Sequence, residues 1–374
     1  MDDIIEQELL EGIIAWTQIR SHTFDVAGVN QIITKASDDC ERIGMSVERF
    51  SELNFGDMLK ARMPDGSGCT EGGILVLGHV DTVHCPESIG CDVPIVVEAE
   101  RVYGPGIYDM KGGMRAALYG FKVASRRGRP HLPVTFMFIP DEEIGSPTTR
   151  ELIEAEARKQ KYVLVPEPTH GRKLVSGRHA FLRYTLTTRG SPAHAGVNNR
   201  DGKSAVRAMA ELIQEVEGFS DYERGETYSV GVVHGGLFVN VVPTSCVAQV
   251  LAVAPTHESF LRIQRKMAAL AGEGEGGVVV EVAPGPVRPL FEASEGTLFL
   301  FDQAAQIAAE IGINLQHAQF GGGSDGNFTG ALGIPTLDGL GVDGAALHTA
   351  GEYMLRTTMV QRCHILSRLI ATLQ

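Results

Sequence analysis

Three apolar runs in this chain each end in residue types that ligate metal. Ile74-Leu75-Val76-Leu77 leads into Gly78-His79-Val80-Asp81, the run 134–139 into Pro140-Asp141-Glu142-Glu143, and Tyr162-Val163-Leu164-Val165 into Pro166-Glu167. With Asp109 and His348 added, the candidate ligands His79, Asp109, Glu143, Glu167 and His348 comprise two imidazoles and three carboxylates. That set exceeds what one tetrahedral zinc takes and suits two metals, roughly 3.5–4 Å apart, sharing a bridging carboxylate. Imidazole and carboxylate ligands accept zinc, manganese or cobalt. Within Asp141-Glu142-Glu143, neighbours in an irregular loop point in different directions, so one carboxylate can ligate while another takes a proton from metal-bound water. Asp81 is spaced to hold the second ring nitrogen of His79, against the competing reading of a turn-stabilising aspartate.

These residues need a scaffold that brings them to one place. Short continuous apolar runs read as strands buried on both faces, as in a parallel sheet, and open α/β sheets bind ligands beyond the carboxyl ends of their strands. A helix is expected over 112–125, directly after Tyr108-Asp109-Met110-Lys111. From about residue 177 the pattern changes. An alternating strand over 183–188 is followed by the loop 189–196, a helix over 204–217, and strands over 228–233, 239–253 and 278–282. The α/β pattern then returns with a helix over 298–311 and a final helix carrying Met359, Cys363, Leu366, Ile370 and Leu373. The expected fold is α/β: a mixed, mostly parallel sheet with helices on both faces, plus a small inserted α+β domain. Residues 1–176 and 288–374 form the metal-binding catalytic domain and 177–287 the insert. A length of 374 residues fits two domains better than one.

A formal net charge of −13 and a pI near 5.4 argue against a nucleic-acid partner. No apolar stretch has the length to span a bilayer, and the first residues lack a signal-peptide pattern, so a cytoplasmic protein is expected. The six cysteines contain no CxxC pair, and free thiols are expected, with Cys85 read as a small buried hydrophobe. Isolated histidines such as His131, His170, His234, His257 and His317 carry no assigned chemistry. His84 is read as solvent-facing, and Asp325, after the glycine run 321–323, as organising its own loop.

The chain resembles the M20 family of co-catalytic metallopeptidases and deacylases. The resemblance rests on motifs in order along nearly the whole chain: 78–83, Gly104-Pro-Gly106 to Gly113, Pro140 to Ser146, Glu167-Pro-Thr169, Ser191 to Gly196 and Leu347-His348-Thr349. It implies Asp109 as the bridging ligand, His79 and Glu167 on one of two metals, Glu143 and His348 on the other, and Glu142 as general base. It further implies that the insert is a lid and homodimerisation domain, that His194 stabilises the oxyanion in the partner's site, and that Asn240 contacts substrate. The carboxypeptidase G2 branch, suggested by Glu167-Pro-Thr169, carries an arginine for the substrate carboxylate where this chain has Val253. Arg178 with His179, or Arg288, are the replacement cations on offer, and Phe181 or Phe238 the contacts for an aromatic moiety. The expected activity is hydrolysis of an amide or related C–N bond of a small N-acyl or amino-acid-like substrate. Deamination or deacylation of a nonpeptide, aromatic substrate is the alternative within enzymes, and a noncatalytic binding protein the alternative outside them.

Overall fold

The computed structural model describes residues 3–51, 54–64, 68–84, 93–128, 130–169 and 171–374. Contacts divide the chain into two compact units: Met1–Gly177 with Phe291–Phe320 and Ser324–Gln374, and Arg178–Leu290 with Gly321–Gly323. Along the chain the α-helices are α1 (Glu6–Thr17), α2 (Val26–Arg42), α3 (Gly112–Arg127), α4 (Arg150–Ala157), α5 (Ala205–Glu217), α6 (His257–Ala269), α7 (Glu295–Ala309), α8 (Gly326–Ala331) and α9 (Arg356–Thr372).

The first unit is built on a six-stranded sheet of β1 (Ser46–Phe50), β2 (Met58–Met63), β3 (Ile74–His79), β4 (Val134–Ile139), β5 (Tyr162–Leu164) and the short strand Thr336–Leu337, in the spatial order β1, β2, β4, β3, β5, Thr336–Leu337. β3 is parallel to β4 and β5, and Thr336–Leu337 is parallel to β5; only β2 runs against its neighbours. Every residue of β3 and β4 is buried. Alternation sorts them between two cores: Ile74, Val76, Phe136 and Phe138 pack with residues of α2, α3, α7 and α9, while Leu75, Leu77, Met137 and Ile139 pack with α4 and α8. This is why the strands read as unbroken apolar runs.

The second unit has a five-stranded antiparallel sheet. Its strands are β6 (Ala180–Arg189), β7 (Thr227–Gly235), β8 (Ser245–Ala254), β9 (Gly272–Glu273) and β10 (Val279–Arg288), ordered β7, β8, β6, β10, β9. Leu182, Tyr184 and Leu186 of β6 and Ala248, Val250 and Ala252 of β8 face α5 and α6 through Met209, Leu212, Ile263 and Met267. The intervening residues of β6 stay half-exposed, giving one covered and one open face.

Two expectations change here. The strand expected over 239–253 begins only at Ser245. Residues before it form a turn, with the Val241 N–H reaching the Phe238 carbonyl at 3.4 Å, and Pro243 has no N–H to give a ladder. Helix α6, which was not expected, starts where the Thr256 hydroxyl accepts the Ser259 N–H at 3.1 Å. Cys40, Cys246 and Cys363 are buried free thiols and Cys69 an exposed one; Cys85 and His170 lie outside the described residues. Among the described residues no helix is long and apolar enough to cross a membrane.

Candidate metal centre

The five expected ligands all lie in the first unit, at the carboxyl end of its parallel strands. His79 closes β3, Glu142 and Glu143 open a 3-10 turn after β4, Glu167 follows β5, and Asp109 precedes α3. His348 lies between the short strands Gly344–Ala345 and Tyr353–Leu355 and holds a left-handed backbone, φ +63°. That conformation costs a histidine of order 1–3 kcal/mol and persists only where its surroundings enforce it.

Asp109 is the centre of the arrangement. His79 Nε2 stands 3.2 Å from Asp109 Oδ1, and His348 Nε2 stands 3.1 Å from Asp109 Oδ2. Glu167 lies 3.8 Å from the same His79 nitrogen, and Glu143 lies 3.3 Å from that of His348. Two triads result, His79-Asp109-Glu167 and Asp109-Glu143-His348, each with ligand atoms within 4.8 Å of one another. They share one carboxylate.

Electrostatics follows from this crowding. Burial lowers the His79 pKa, but the carboxylates of Asp109 and Asp81 outweigh it and hold the imidazole well above its usual range. Burial also acts against ionised Asp109, and hydrogen bonds from His348 and His79 overcome it, leaving the acid far below the usual carboxylate range. Glu143 is pushed up to about 7 by burial, against the His348 hydrogen bond and with the Asp109 charge adding to the rise. Hydrogen bonds to Asp109 and Glu143 raise His348 to about 10. The residues fit a pair of divalent cations: acceptor atoms converge on two points, and Glu143 Oε1 is buried with no hydrogen-bond partner among the described residues.

The surrounding groups fix these ligands. His79 Nδ1 meets the backbone carbonyl of Asp81 at 2.9 Å, nearer than the Asp81 carboxylate at 3.4 Å. A carbonyl only accepts, so Nδ1 keeps its proton and, in the neutral ring that a metal requires, Nε2 is the nitrogen left to ligate. The Asp81 carboxylate instead accepts the Glu142 and Glu143 N–H groups at 3.2 and 3.3 Å and the Thr23 hydroxyl at 2.8 Å, tying the turn after β4 to the end of β3. Glu142 is 8% exposed. The Asp141 carboxylate serves its own loop, accepting from Thr148 and Thr149, and Asp325 accepts from Ser146 after β4. Gly113 lets α3 approach the Glu167 segment, since a Cβ there would lie 2.0 Å from the Pro166 carbonyl oxygen.

Sequence reasoning missed Glu352 and misplaced His84. Glu352 is fully buried and its Oε1 accepts the N–H groups of Tyr108 and Asp109 at 2.8 and 3.1 Å. His84 is buried rather than solvent-facing, with Nε2 on Glu352 Oε2. The available signal was a second acid four residues after His348; its partner is far away along the chain.

In the second unit, His194 and Asn240 sit side by side: the Ala195 N–H bonds the Asn240 carbonyl at 3.0 Å and His194 bridges Val241. Both are exposed. The His194 Nδ1 accepts the Gly196 N–H at 3.1 Å, which puts the neutral ring's proton on Nε2. Arg178, 5% exposed, donates to the carbonyls of Gly322 and Gly323 at 3.1 and 3.4 Å. Arg288 is equally buried.

An α/β sheet with paired imidazole–carboxylate triads at its strand ends defines a metal-dependent hydrolase. Residues 75–372 match peptidase family M20/M25/M40, and the chain belongs to that family. It is 28% identical over 365 residues to carboxypeptidase G2 of Pseudomonas sp. (strain RS-16), covering 95% of this chain and 86% of that one. It is 26% identical over 231 residues to acetylornithine deacetylase of Myxococcus xanthus, covering 58% and 59%. Among solved structures, a tripeptidase from Staphylococcus aureus superposes with a TM-score of 0.77 at 21% identity, covering 98% of both chains. A dinuclear metal-binding M20 peptidase from Bacillus subtilis superposes at 0.70 with 15% identity, covering 98% and 97%.

Proposed function

We propose that this enzyme hydrolyses an amide or related C–N bond of a small N-acyl, amino-acid-like substrate with two divalent cations. The observation that carries this reading is the pair of triads sharing Asp109. His79, Asp109 and Glu167 would hold one ion, and Asp109, Glu143 and His348 the other; zinc is the first choice, with manganese or cobalt alternatives. When bound, the ions supply Lewis-acid polarisation of the substrate carbonyl and acidify water. Glu142 takes the proton of the attacking water and returns it to the leaving nitrogen. Asp81 positions both: its carbonyl orients His79 and its carboxylate holds the backbone of Glu142 and Glu143. His194, with its proton on Nε2, donates to the developing oxyanion, and Asn240 beside it contacts substrate.

The second unit serves as the lid and as the contact of a homodimer, drawing on Arg178 or Arg288 for substrate binding. Its outermost strand β7 supports this, presenting an unpaired edge with Val232 39% and Val233 46% exposed. The reading is tested by metal titration of the purified chain, with turnover of N-acylamino acids, carboxyl-terminal glutamyl peptides and aromatic amides followed at each stage. Two equivalents bound and activity that appears with them is the expected result; full activity at one equivalent contradicts the shared-carboxylate arrangement. Sedimentation velocity checks the dimer.

A further inference from the structure

We propose, resting on the two-ion reading above, that Arg362 is a positioning residue for Glu167 acting through Thr169, and that the Tyr108 hydroxyl locks Thr169 to the Asp109 segment. Thr169 is fully buried and stands two residues beyond Glu167. All of its polar groups are engaged. Its N–H bonds the Val342 carbonyl at 3.1 Å, and its hydroxyl donates to the Lys173 carbonyl at 3.0 Å. The hydroxyl oxygen accepts from Arg362 Nη2 at 3.2 Å, and the Thr169 carbonyl accepts the Tyr108 hydroxyl at 2.6 Å. Arg362 Nη2 also reaches the Gly171 carbonyl at 3.3 Å. These bonds bear on Glu167 because the link between is stiff. Glu167 lies in Pro166-Glu167-Pro168; the Pro168 ring sets its own φ at about −65° and confines the residue before it to extended backbone. Few torsions are left free between Thr169 and the ligating carboxylate. On the other side, the Glu167 carbonyl accepts the Gly341 N–H at 2.9 Å.

Packing alone does not call for a cation at position 362. Its neighbours on α9, Met359, Cys363 and Leu366, are apolar core residues. Arg362 is buried among them, and its Nη1 has no hydrogen-bond partner among the described residues, an unfavourable placement for a charge. Burial pushes its pKa down to about 10, so the guanidinium is still charged at neutral pH. Asp343, whose charge opposes that shift, gives its carboxylate to the Gly171 and Gly344 N–H groups at 3.2 and 2.9 Å. What the guanidinium holds is the chain just past Glu167. Asp109 is fixed separately, because Glu352 accepts the Tyr108 and Asp109 N–H groups. Loss of the Tyr108 hydroxyl therefore loosens Thr169 and leaves the shared ligand in place.

The test is calorimetric zinc titration of the metal-free protein, with the thermal midpoint read on the same samples. In Thr169→Val and Tyr108→Phe, each lacking one hydroxyl, one of two equivalents should weaken about tenfold while the other stays within about threefold of wild type. Arg362→Met, which keeps a long side chain without the guanidinium, should weaken the same equivalent. Thr169→Ser restores the hydroxyl and should bind as wild type does. Glu167→Gln identifies the affected ion: the one that remains in that variant should be unaltered when Thr169→Val is added. Both ions weakening together with a fall in thermal midpoint is what a merely structural role would give, and it overturns the proposal. The two readings fail separately. Two ions bound with wild-type affinity in Thr169→Val, Tyr108→Phe and Arg362→Met overturn the positioning role alone. A single ion in wild type, weakened by Thr169→Val and lost in Glu167→Gln, supports the positioning role and contradicts the two-ion reading; no ion bound overturns both.

Discussion

Replacing Glu352 by alanine should damage both the stability of the first unit and its metal centre. The carboxylate is fully buried and accepts the Tyr108 and Asp109 N–H groups at 2.8 and 3.1 Å, with His84 on its other oxygen. Alanine leaves one buried and one part-buried backbone donor without an acceptor, at up to about 1–3 kcal/mol each, so a loss of about 1–6 kcal/mol in unfolding free energy is expected. The Asp109 backbone also loses the group that fixes it. Groups that orient ligands from behind are typically worth about 10–100-fold in metal affinity, and because Asp109 belongs to both triads, both equivalents should weaken. Glu352→Gln keeps an acceptor oxygen for the two N–H groups and should lose less than half as much. Urea unfolding of the metal-free chain and calorimetric metal titration are the assays. An alanine variant that unfolds within 0.5 kcal/mol of wild type and binds two ions with unchanged affinity would refute the reasoning.

Other outcomes follow from the same geometry. Gly113→Ala places a Cβ 2.0 Å from the Pro166 carbonyl oxygen; overpacking of about 1–3 kcal/mol and weaker binding at the Glu167 ion should appear together in unfolding and metal titration. In the metal-free chain His348 titrates at about 10, so below that pH an ion must displace its proton; metal affinity should rise with pH through the neutral range, with proton release detected by calorimetry in buffers of different ionisation heat. Asp39 bonds the indole of Trp16, the chain's one tryptophan, at 2.8 Å. Burial works against its charge, and hydrogen bonds from Lys35 and Trp16 more than offset that, holding the folded-state pKa below the usual aspartate range. A depressed acid stabilises above the unfolded pKa and loses that contribution as pH falls through the folded one. The stability gap between wild type and Asp39→Asn should therefore be full above about pH 4 and shrink below it, read by tryptophan fluorescence.

The catalytic half of the fold was legible because β3, β4 and β5 are buried on both faces, so burial writes itself as unbroken apolar runs, and because each run stops where a ligand begins. His79, Asp109, Glu143, Glu167 and His348 came from residue type, spacing and motif order, and the structure brings these five together. What escaped has a common physical cause. Glu352 and His84 meet across 268 positions of sequence, and no local period encodes such a contact. The strand expected over 239–253 failed at Pro243, whose missing N–H outweighed the valines around it. The placement of Arg288 opposite Phe181 depends on a one-residue bulge, which no alternation pattern announces.

The role of Glu142 is the point on which the account turns. The direct measurement is turnover of the best N-acyl substrate by Glu142→Ala, with bound metal counted on the same sample. With Glu142 outside both triads, the account predicts two ions retained and a turnover loss of about 10²–10⁴-fold; two ions retained with turnover within threefold of wild type would contradict it.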